Sequence, residues 1–325
     1  MKILLDGYFD KNLGDDLMLE LAAENLSEHE IYMNTPYLQH TDEEKPYKMT
    51  DIDIKLKVIG SGFLLRNYTS MIYRIKEMIQ DRGDYLKAVL SCNISQYPNF
   101  LAEYVIKRQL SEFDFVTVRD TYSYEYIKKK LPQLKCEYYP DIVFSIPNDR
   151  IKNCKNEGAL GISAYNSYGQ TPDEVNLKFA EMADKFIEKT GRKVLLFALN
   201  TGLENDIKAA KSIKNMMKNS VHTEIIAYDG ILDNIKRCSK MIGIRLHSVV
   251  LAMCAGVPVI PVAYSDKTLH MLNDLNFNGK IFEWKNIDFN LLGELCMAET
   301  EKFALDDNIR KEASKHIKAF KEIFC

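Results

Sequence analysis

The sequence predicts an α/β protein built from two successive doubly wound domains. Three observations carry that reading. Short apolar runs alternate with longer amphipathic segments along the chain. The separations between those runs suit right-handed crossovers rather than hairpins, which favours parallel sheets. The 325 residues also exceed one ordinary domain of roughly 100–200 residues.

Hydrophobic residues make up 46 % of the chain and charged ones 27 %, the balance of a folded protein rather than a disordered one. The 43 basic and 46 acidic residues leave a formal charge of −3, so no overall positive field draws in nucleic acid. Seven cysteines without CxxC spacing argue against a disulfide framework and for reduced thiols in a cytoplasmic protein. The opening MKILLDGYFD enters a strand and turn directly, without the apolar core or cleavage site of an export signal. No apolar run reaches ~18 residues. Arg245 and His247 interrupt the longest, so any membrane contact is expected to be peripheral.

In order, KILLDG is a strand, the glycine and asparagine stretch after it a turn, and Leu17, Leu21 and Leu26 the inner side of a first helix. Further strands are expected at 56–60, 87–92, 114–120 and 136–146. The segment 147–158, PNDRIKNCKNEG, lacks apolar periodicity and is placed at the domain boundary, giving domains 1–150 and 155–325. The second series starts with the strand 159–165. A helix follows with Thr171 as N-cap, Pro172 at its first position, Glu174 completing a capping box, and Gly191 ending it. Strands at 193–200, 222–228, 241–244 and 257–263 come next, with helices at 205–219, around 231–238 and from Leu246 between them. A terminal helix has Ala313, Ile317, Phe320 and Phe324 on one side and is placed with the second domain.

Parallel sheets gather ligands at the carboxyl ends of their strands, and the polar groups of interest sit there. Arg245 and His247 open a helix, where backbone N–H groups and a guanidinium fork suit an anion. A structural ion pair and a hydrogen-bonded core histidine explain the same residue types. The next strand ends in Tyr264-Ser265-Asp266-Lys267, and cations at two neighbouring strand ends favour a shared anion pocket. In Asn12-Leu13-Gly14-Asp15-Asp16, Gly14 allows close approach of substrate and Asp15 can accept a proton; a turn followed by dipole-favoured acids is the plainer reading. Gly60-Ser61-Gly62 can expose amides to a ligand, but neither GxGxxG nor GxxxxGK[ST] is present. Arg119-Asp120 with Ser123 suits ligand binding or a structural arginine beside a cap. Asp141 is read as structural. Lys208, Lys211, Lys214 and Lys218 share one helix side, ordinarily a solvated face and less often a patch drawn to anionic lipid. No HExxH, His/Cys cluster or GxSxG elbow occurs, so no protein zinc site is indicated and a metal requirement is left open.

Five of these segments form a set. Asn12-Leu13-Gly14-Asp15, Arg119-Asp120-Thr121-Tyr122-Ser123, Arg245-Leu246-His247, Gly256-Val257-Pro258 and Tyr264-Ser265-Asp266-Lys267 follow the order of motifs in the polysaccharide pyruvyl transferase family, which the chain resembles over most of its length. It departs in having only Gly60-Ser61-Gly62-Phe63 for the glycine-rich turn, and Phe197-Ala198-Leu199-Asn200 where the family often has histidine, with Asp206 following.

The resemblance implies two Rossmann-like domains facing across a cleft in the GT-B-like manner, the first on the acceptor side and the second on the phosphoenolpyruvate side. It implies transfer of the enolpyruvyl group of phosphoenolpyruvate to a sugar of a glycan or lipid-linked oligosaccharide, giving a pyruvate ketal and phosphate. No further cofactor is firmly implied. His247 is the expected acid and Asp15 the expected proton acceptor. Arg245, Lys267, Tyr264, Asn12, Gly14, Arg119, Gly60 and Gly62 are the expected substrate-binding residues. Cytoplasmic placement, at the inner face of a membrane, fits such an acceptor. Two rivals stay open: a GT-B-like glycosyltransferase using the same cations on a departing diphosphate, and a non-catalytic glycan- or anion-binding protein.

Overall fold

The structure, a computed structural model, describes residues 1–7, 11–34, 52–58, 68–81, 83–95, 99–166, 171–202, 204–299, 302–303 and 305–325. Among these, the apolar runs form two six-stranded sheets in which every ladder is parallel. The chain divides into two units. The first comprises Met1–Phe9, Asp15–Ser145 and Asn308–Cys325, and the second Asp10–Gly14 and Ile146–Asp307.

The first unit runs β1 (Lys2–Gly7), α1 (Leu13–Asn25), β2 (Glu30–Asn34), β3 (Ile54–Val58), α2 (Tyr68–Gln80), β4 (Leu86–Cys92), α3 (Phe100–Leu110), β5 (Phe115–Val118), α4 (Thr121–Lys130) and β6 (Cys136–Tyr138). Its strand order is β2-β1-β3-β4-β5-β6, so the winding reverses between β1 and β3. The strand β2 was not expected from sequence. The stretch 136–146, expected to be one strand, is extended only as far as Tyr138. Pro140 has no N–H for a ladder, and Asp141 turns the chain into a 3₁₀ helix, Ile142–Ser145, whose Val143 and Phe144 N–H groups bond to Asp141. Val89, Ile106, Val116 and Ile127 belong to the core between this sheet and its helices.

The second unit runs β7 (Ala159–Ser163), α5 (Asp173–Thr190), β8 (Val194–Ala198), α6 (Asp206–Met216), β9 (Thr223–Ala227), α7 (Ile231–Asn234), β10 (Cys238–Gly243), α8 (Leu246–Cys254), β11 (Val259–Ala263), α9 (Asp266–Asp274), β12 (Phe282–Glu283) and α10 (Phe289–Met297). The order β12-β11-β10-β7-β8-β9 puts its reversal between β10 and β7. Ile162, Phe179, Phe186, Ile260 and Val262 lie in its core. Gly191 ends α5 at φ 66°, the left-handed conformation that favours glycine. The start of α5 differs from expectation: Pro172 is the N-cap, and the Thr171 hydroxyl donates to the Tyr165 carbonyl instead of capping.

The terminal helix α11 (Asp307–Phe324) corrects the expected division, because residues from Asn308 onward group with the first unit. An amphipathic stripe shows that a helix packs, not on what. What fixes it is His316, fully buried. Its Nε2 lies 2.9 Å from the Pro140 carbonyl, which can only accept, so Nε2 carries the proton and Nδ1 accepts from Thr117 Oγ1 at 2.7 Å. Thr117 Oγ1 in turn accepts the Ser91 N–H. Tyr139 meets the imidazole edge to face.

Burial pushes His316 down to about 4, whereas an unfolded histidine titrates near ~6.5. Between those values only the unfolded chain gains the proton, so stability is full above pH ~6.5 and is lost as pH falls toward the folded value. In denaturant titrations across that window, the wild-type chain should lose on the order of 3 kcal/mol more than a His316→Gln variant. Equal pH slopes for the two proteins would contradict this placement.

Candidate active site

The reversal between β10 and β7 is where an open parallel sheet leaves a crevice at its carboxyl edge. After β10 the chain continues through Ile244 to Arg245, the N-cap of α8. The Arg245 carbonyl accepts from the Ser248 hydroxyl at 2.6 Å and from the Ser248 N–H at 2.9 Å, which closes the first turn. The apolar run Val249-Val250-Leu251 then buries the helix body and leaves His247 at its second residue.

Arg245 is not presented as an open fork. Its Nε and Nη2 donate to the two oxygens of Asp206 at 3.1 and 2.6 Å, and its Nη1 donates to Glu204. Asp206, fully buried at the start of α6, also accepts the N–H groups of Asn166 and Asn200. Burial alone would lower the arginine's affinity for its proton, but Asp206 holds it above the ordinary range. The expected free cation is therefore matched by two carboxylates. Glu204 was missed by sequence reading; its one signal was a second acid at the carboxyl end of β8, two residues before Asp206.

The guanidinium lies 4.7 Å from the Tyr165 ring centre, at the end of β7. Tyr165 stacks on Tyr264 with centroids 4.6 Å apart, and Lys267 Nζ sits 5.4 Å from the Tyr264 ring centre. The result is a column of cation, two phenols and cation, joining the ends of β10, β7 and β11. Burial would push the Tyr264 phenol up, yet Lys267, which hydrogen-bonds it, and Arg245 bring it below its usual value. Tyr165 was not singled out in the sequence, since a tyrosine after a strand has no distinctive pattern. Lys267 makes no ion pair with a carboxylate among the described residues.

Residues 10–14 group with this second unit. Asn12 forms an antiparallel bridge with Asn200. Leu13 N–H donates to Leu199 O at 3.0 Å, and Thr201 N–H to Lys11 O at 2.9 Å. Lys11 itself is left-handed, with φ 48°. Gly14 lies against His247: a Cβ there would fall 1.8 Å from Nδ1 and 2.6 Å from the His247 Cβ. The space that makes glycine necessary is filled by the imidazole rather than kept for substrate.

The remaining expected residues belong to the first unit. Asp15 is buried in the first turn of α1. Arg119 is buried and donates to Asp141 Oδ2 at 2.6 Å and to Asn93 Oδ1 at 2.8 Å, the arrangement of the structural alternative weighed for it in the sequence. Asp120 caps α4 by accepting the Ser123 N–H, and Ser123 Oγ accepts the Ile94 N–H. Gly60 and Gly62 lie outside the described residues. Among the described residues, no group of three or more His, Cys, Asp or Glu could hold a metal ion.

Solved structures share this architecture at low identity. The UDP-GlcNAc 2-epimerase of Methanocaldococcus jannaschii, in complex with UDP-GlcNAc and UDP, is similar at a TM-score of 0.63 and 10 % identity, covering 99 % of this chain and 100 % of its own. A glycosyltransferase from Rickettsia africae is similar at 0.53 and 10 %, covering 99 % and 94 %. The Neisseria meningitidis UDP-GlcNAc 2-epimerase bound to UDP-GlcNAc is similar at 0.52 and 10 %, covering 99 % and 100 %. No curated protein sequence matches the chain. These likenesses define the class of fold, two Rossmann-like α/β domains of the GT-B-like type.

A family model, polysaccharide pyruvyl transferase, matches residues 12–266. The chain belongs to that family. It is a transferase, with phosphoenolpyruvate as pyruvyl donor and a polysaccharide as acceptor.

Two substitutions test the arrangement. Gly14→Ala must displace the His247 ring, so turnover should fall by about a hundredfold or more while the melting midpoint moves little; unchanged turnover would show that the imidazole position is irrelevant. Arg245→Ala leaves Asp206 and Glu204 buried without their cation, and unfolding by denaturant should show the second unit weakened by about 3–5 kcal/mol.

Proposed function

We propose that the second unit holds phosphoenolpyruvate at the carboxyl edge of its sheet, against Lys267 and the opening turns of α8 and α9. The observation that carries this reading is the cation–phenol column. The single charge of Arg245 is more than offset by Asp206 and Glu204, so the positive charge left beside Tyr264 is that of Lys267. The N–H groups at the two helix starts add partial positive charge. Arg245 orders the column and offers its remaining N–H groups to the substrate. A phenol held below its usual pKa is a stronger hydrogen-bond donor to phosphate.

The chemistry follows from the residues. His247 delivers a proton to the methylene carbon while a sugar hydroxyl bonds to the adjacent carbon. The bond from that carbon to the phosphate oxygen then breaks, and a second hydroxyl closes the ketal. One hydroxyl proton restores the acid, and the other departs with phosphate. Asp15 directly follows the glycine that backs His247 and is assigned as the proton acceptor. Asn12, bridged to Asn200, and Gly14 hold the segment that leads into Asp15. The acceptor is assigned as a cell-envelope or extracellular glycan, or its lipid-linked precursor. Cysteine usage without disulfide spacing supports a reducing compartment, the cytoplasm.

Incubation with phosphoenolpyruvate and a panel of envelope glycans should release inorganic phosphate in step with a mass gain on one sugar. Consumption of a sugar nucleotide without phosphoenolpyruvate would instead favour glycosyl transfer. Lys267→Ala should weaken phosphoenolpyruvate by about 1.5–3 kcal/mol, read as a rise of roughly ten- to a hundredfold in KM. Lys267→Arg should recover part of that loss. A KM unmoved by either change would remove Lys267 from the site.

A further inference from the structure

The first unit contains a helix, α2, whose inward face mixes Met71 and Met78 with charged side chains. Along β3, Ile54, Leu56 and Val58 alternate with Lys55 and Lys57, and both lysines are buried. Register places Asp6 of β1 opposite Lys57, and Lys87 of β4 opposite Lys55, so three lysines and an aspartate share one face of the sheet. The acids that answer them come from α2 and its end. Asp81 Oδ1 lies 3.1 Å from Lys55 Nζ, Asp81 Oδ2 lies 3.5 Å from Lys87 Nζ, and Glu77 pairs with Lys57. Arg74 and Gln109 also bind Glu77.

An ordinary helix on a sheet turns its apolar stripe inward. Because α2 directs Glu77 at buried lysines, Ile72, Ile75 and Ile79, at i, i+3 and i+7, stand exposed, Ile79 by 55 %. The neighbouring α3 adds Phe100 at 83 %, Tyr104 at 64 %, and Leu101. Ile75 and Ile79 line the same cavity as Arg108 of α3, so the two helices adjoin there; the acids of that cavity, Asp81 and Glu112, both face Lys87. Lys76 and Arg108 are exposed beside them. The only acids in the two helices are Glu77, turned inward, and Glu103, paired with Lys130 at 2.8 Å.

We infer that this α2–α3 face is a membrane-docking surface that takes the headgroup and upper acyl region of an anionic bilayer. Exposed aliphatic and aromatic side chains rimmed by cations, without an exposed acid on either helix, match such a surface in both polarity and charge. A second copy of the chain is the alternative occupant that the test separates from a bilayer. The lysine side of α6 lacks the apolar half of the signal, since Ala209, Ala210 and Ile213 are buried and Lys214 is bonded to the Thr223 carbonyl. No helix among the described residues is long and apolar enough to cross a membrane. The inference uses none of the residues assigned to phosphoenolpyruvate.

The test is co-sedimentation of the full chain with vesicles of phosphatidylcholine alone or of equal parts phosphatidylcholine and phosphatidylglycerol. The chain should bind the mixed vesicles and be largely released by high salt. An Ile72→Ser, Ile79→Ser, Phe100→Ser variant should lose about tenfold or more of that binding, as should Lys76→Glu with Arg108→Glu. Both variants should keep the wild-type far-ultraviolet spectrum and phosphate release with a soluble acceptor. A Lys208→Glu, Lys211→Glu, Lys218→Glu variant should bind as wild type. Four results would each overturn the inference: no vesicle binding by the wild-type chain, binding untouched by the α2–α3 changes, binding abolished by the α6 changes, or a wild-type dimer in light scattering that the serine variant converts to monomer.

Discussion

The bidentate contact between Arg245 and Asp206 organises the carboxyl edge of the second sheet. Asp206 is fully buried and would be costly there as a lone anion. It is tolerated because a guanidinium and two backbone N–H groups converge on it. That convergence fixes three chain segments at once: the loop after β8, the residue after β7 and the start of α8. Tyr165 can then lie under the guanidinium, Tyr264 against Tyr165, and Lys267 against Tyr264. The positive charge left at this edge is displaced by one strand, from the end of β10 to the end of β11. Two carboxylates more than offset the single charge of the arginine, so Lys267 is the cation that remains along the column.

Much of this was legible in sequence where the signal is local. Strand–helix alternation, the glycine that ends α5, and the placement of Arg245, His247, Tyr264 and Lys267 at strand ends all depend on residues within one or two turns of each other. Partners distant along the chain were not legible. Arg245 shows its helix start, but Glu204 and Asp206 lie about forty residues earlier. Arg119 has the same form in sequence as a substrate-binding arginine until Asn93 and Asp141 are placed around it. Gly14 reads as room for a ligand because the imidazole that fills the room comes from the far end of the sequence. The apolar run at 136–146 reads as one strand unless the missing N–H of Pro140 is weighed against its hydrophobicity.

The two units treat buried charge in different ways. In the second, one arginine collects two carboxylates and an aromatic face at a single point. In the first, charge is spread as a layer between sheet and helix, with Lys55, Lys57 and Lys87 meeting Asp6, Glu77 and Asp81. A layer of ion pairs is a weak source of stability, because desolvation offsets most of the attraction. It does fix register and orientation: rotating α2 to bury its isoleucines would take Glu77 from Lys57 and Asp81 from Lys55 and Lys87.

The His316 layer of the first unit is completed by residues that follow the entire second unit in the chain. During synthesis, Thr117 and the Pro140 carbonyl therefore emerge long before the imidazole that joins them, with more than 150 residues translated in between. The second unit, continuous from Ile146 to Asp307 apart from a short early segment, can assemble first. The first unit must wait, with part of its sheet uncovered, until α11 has left the ribosome. A chain stopped just short of Asn308 would carry a complete second unit and an incomplete first one, so α11 ties completion of the first unit to synthesis of the second.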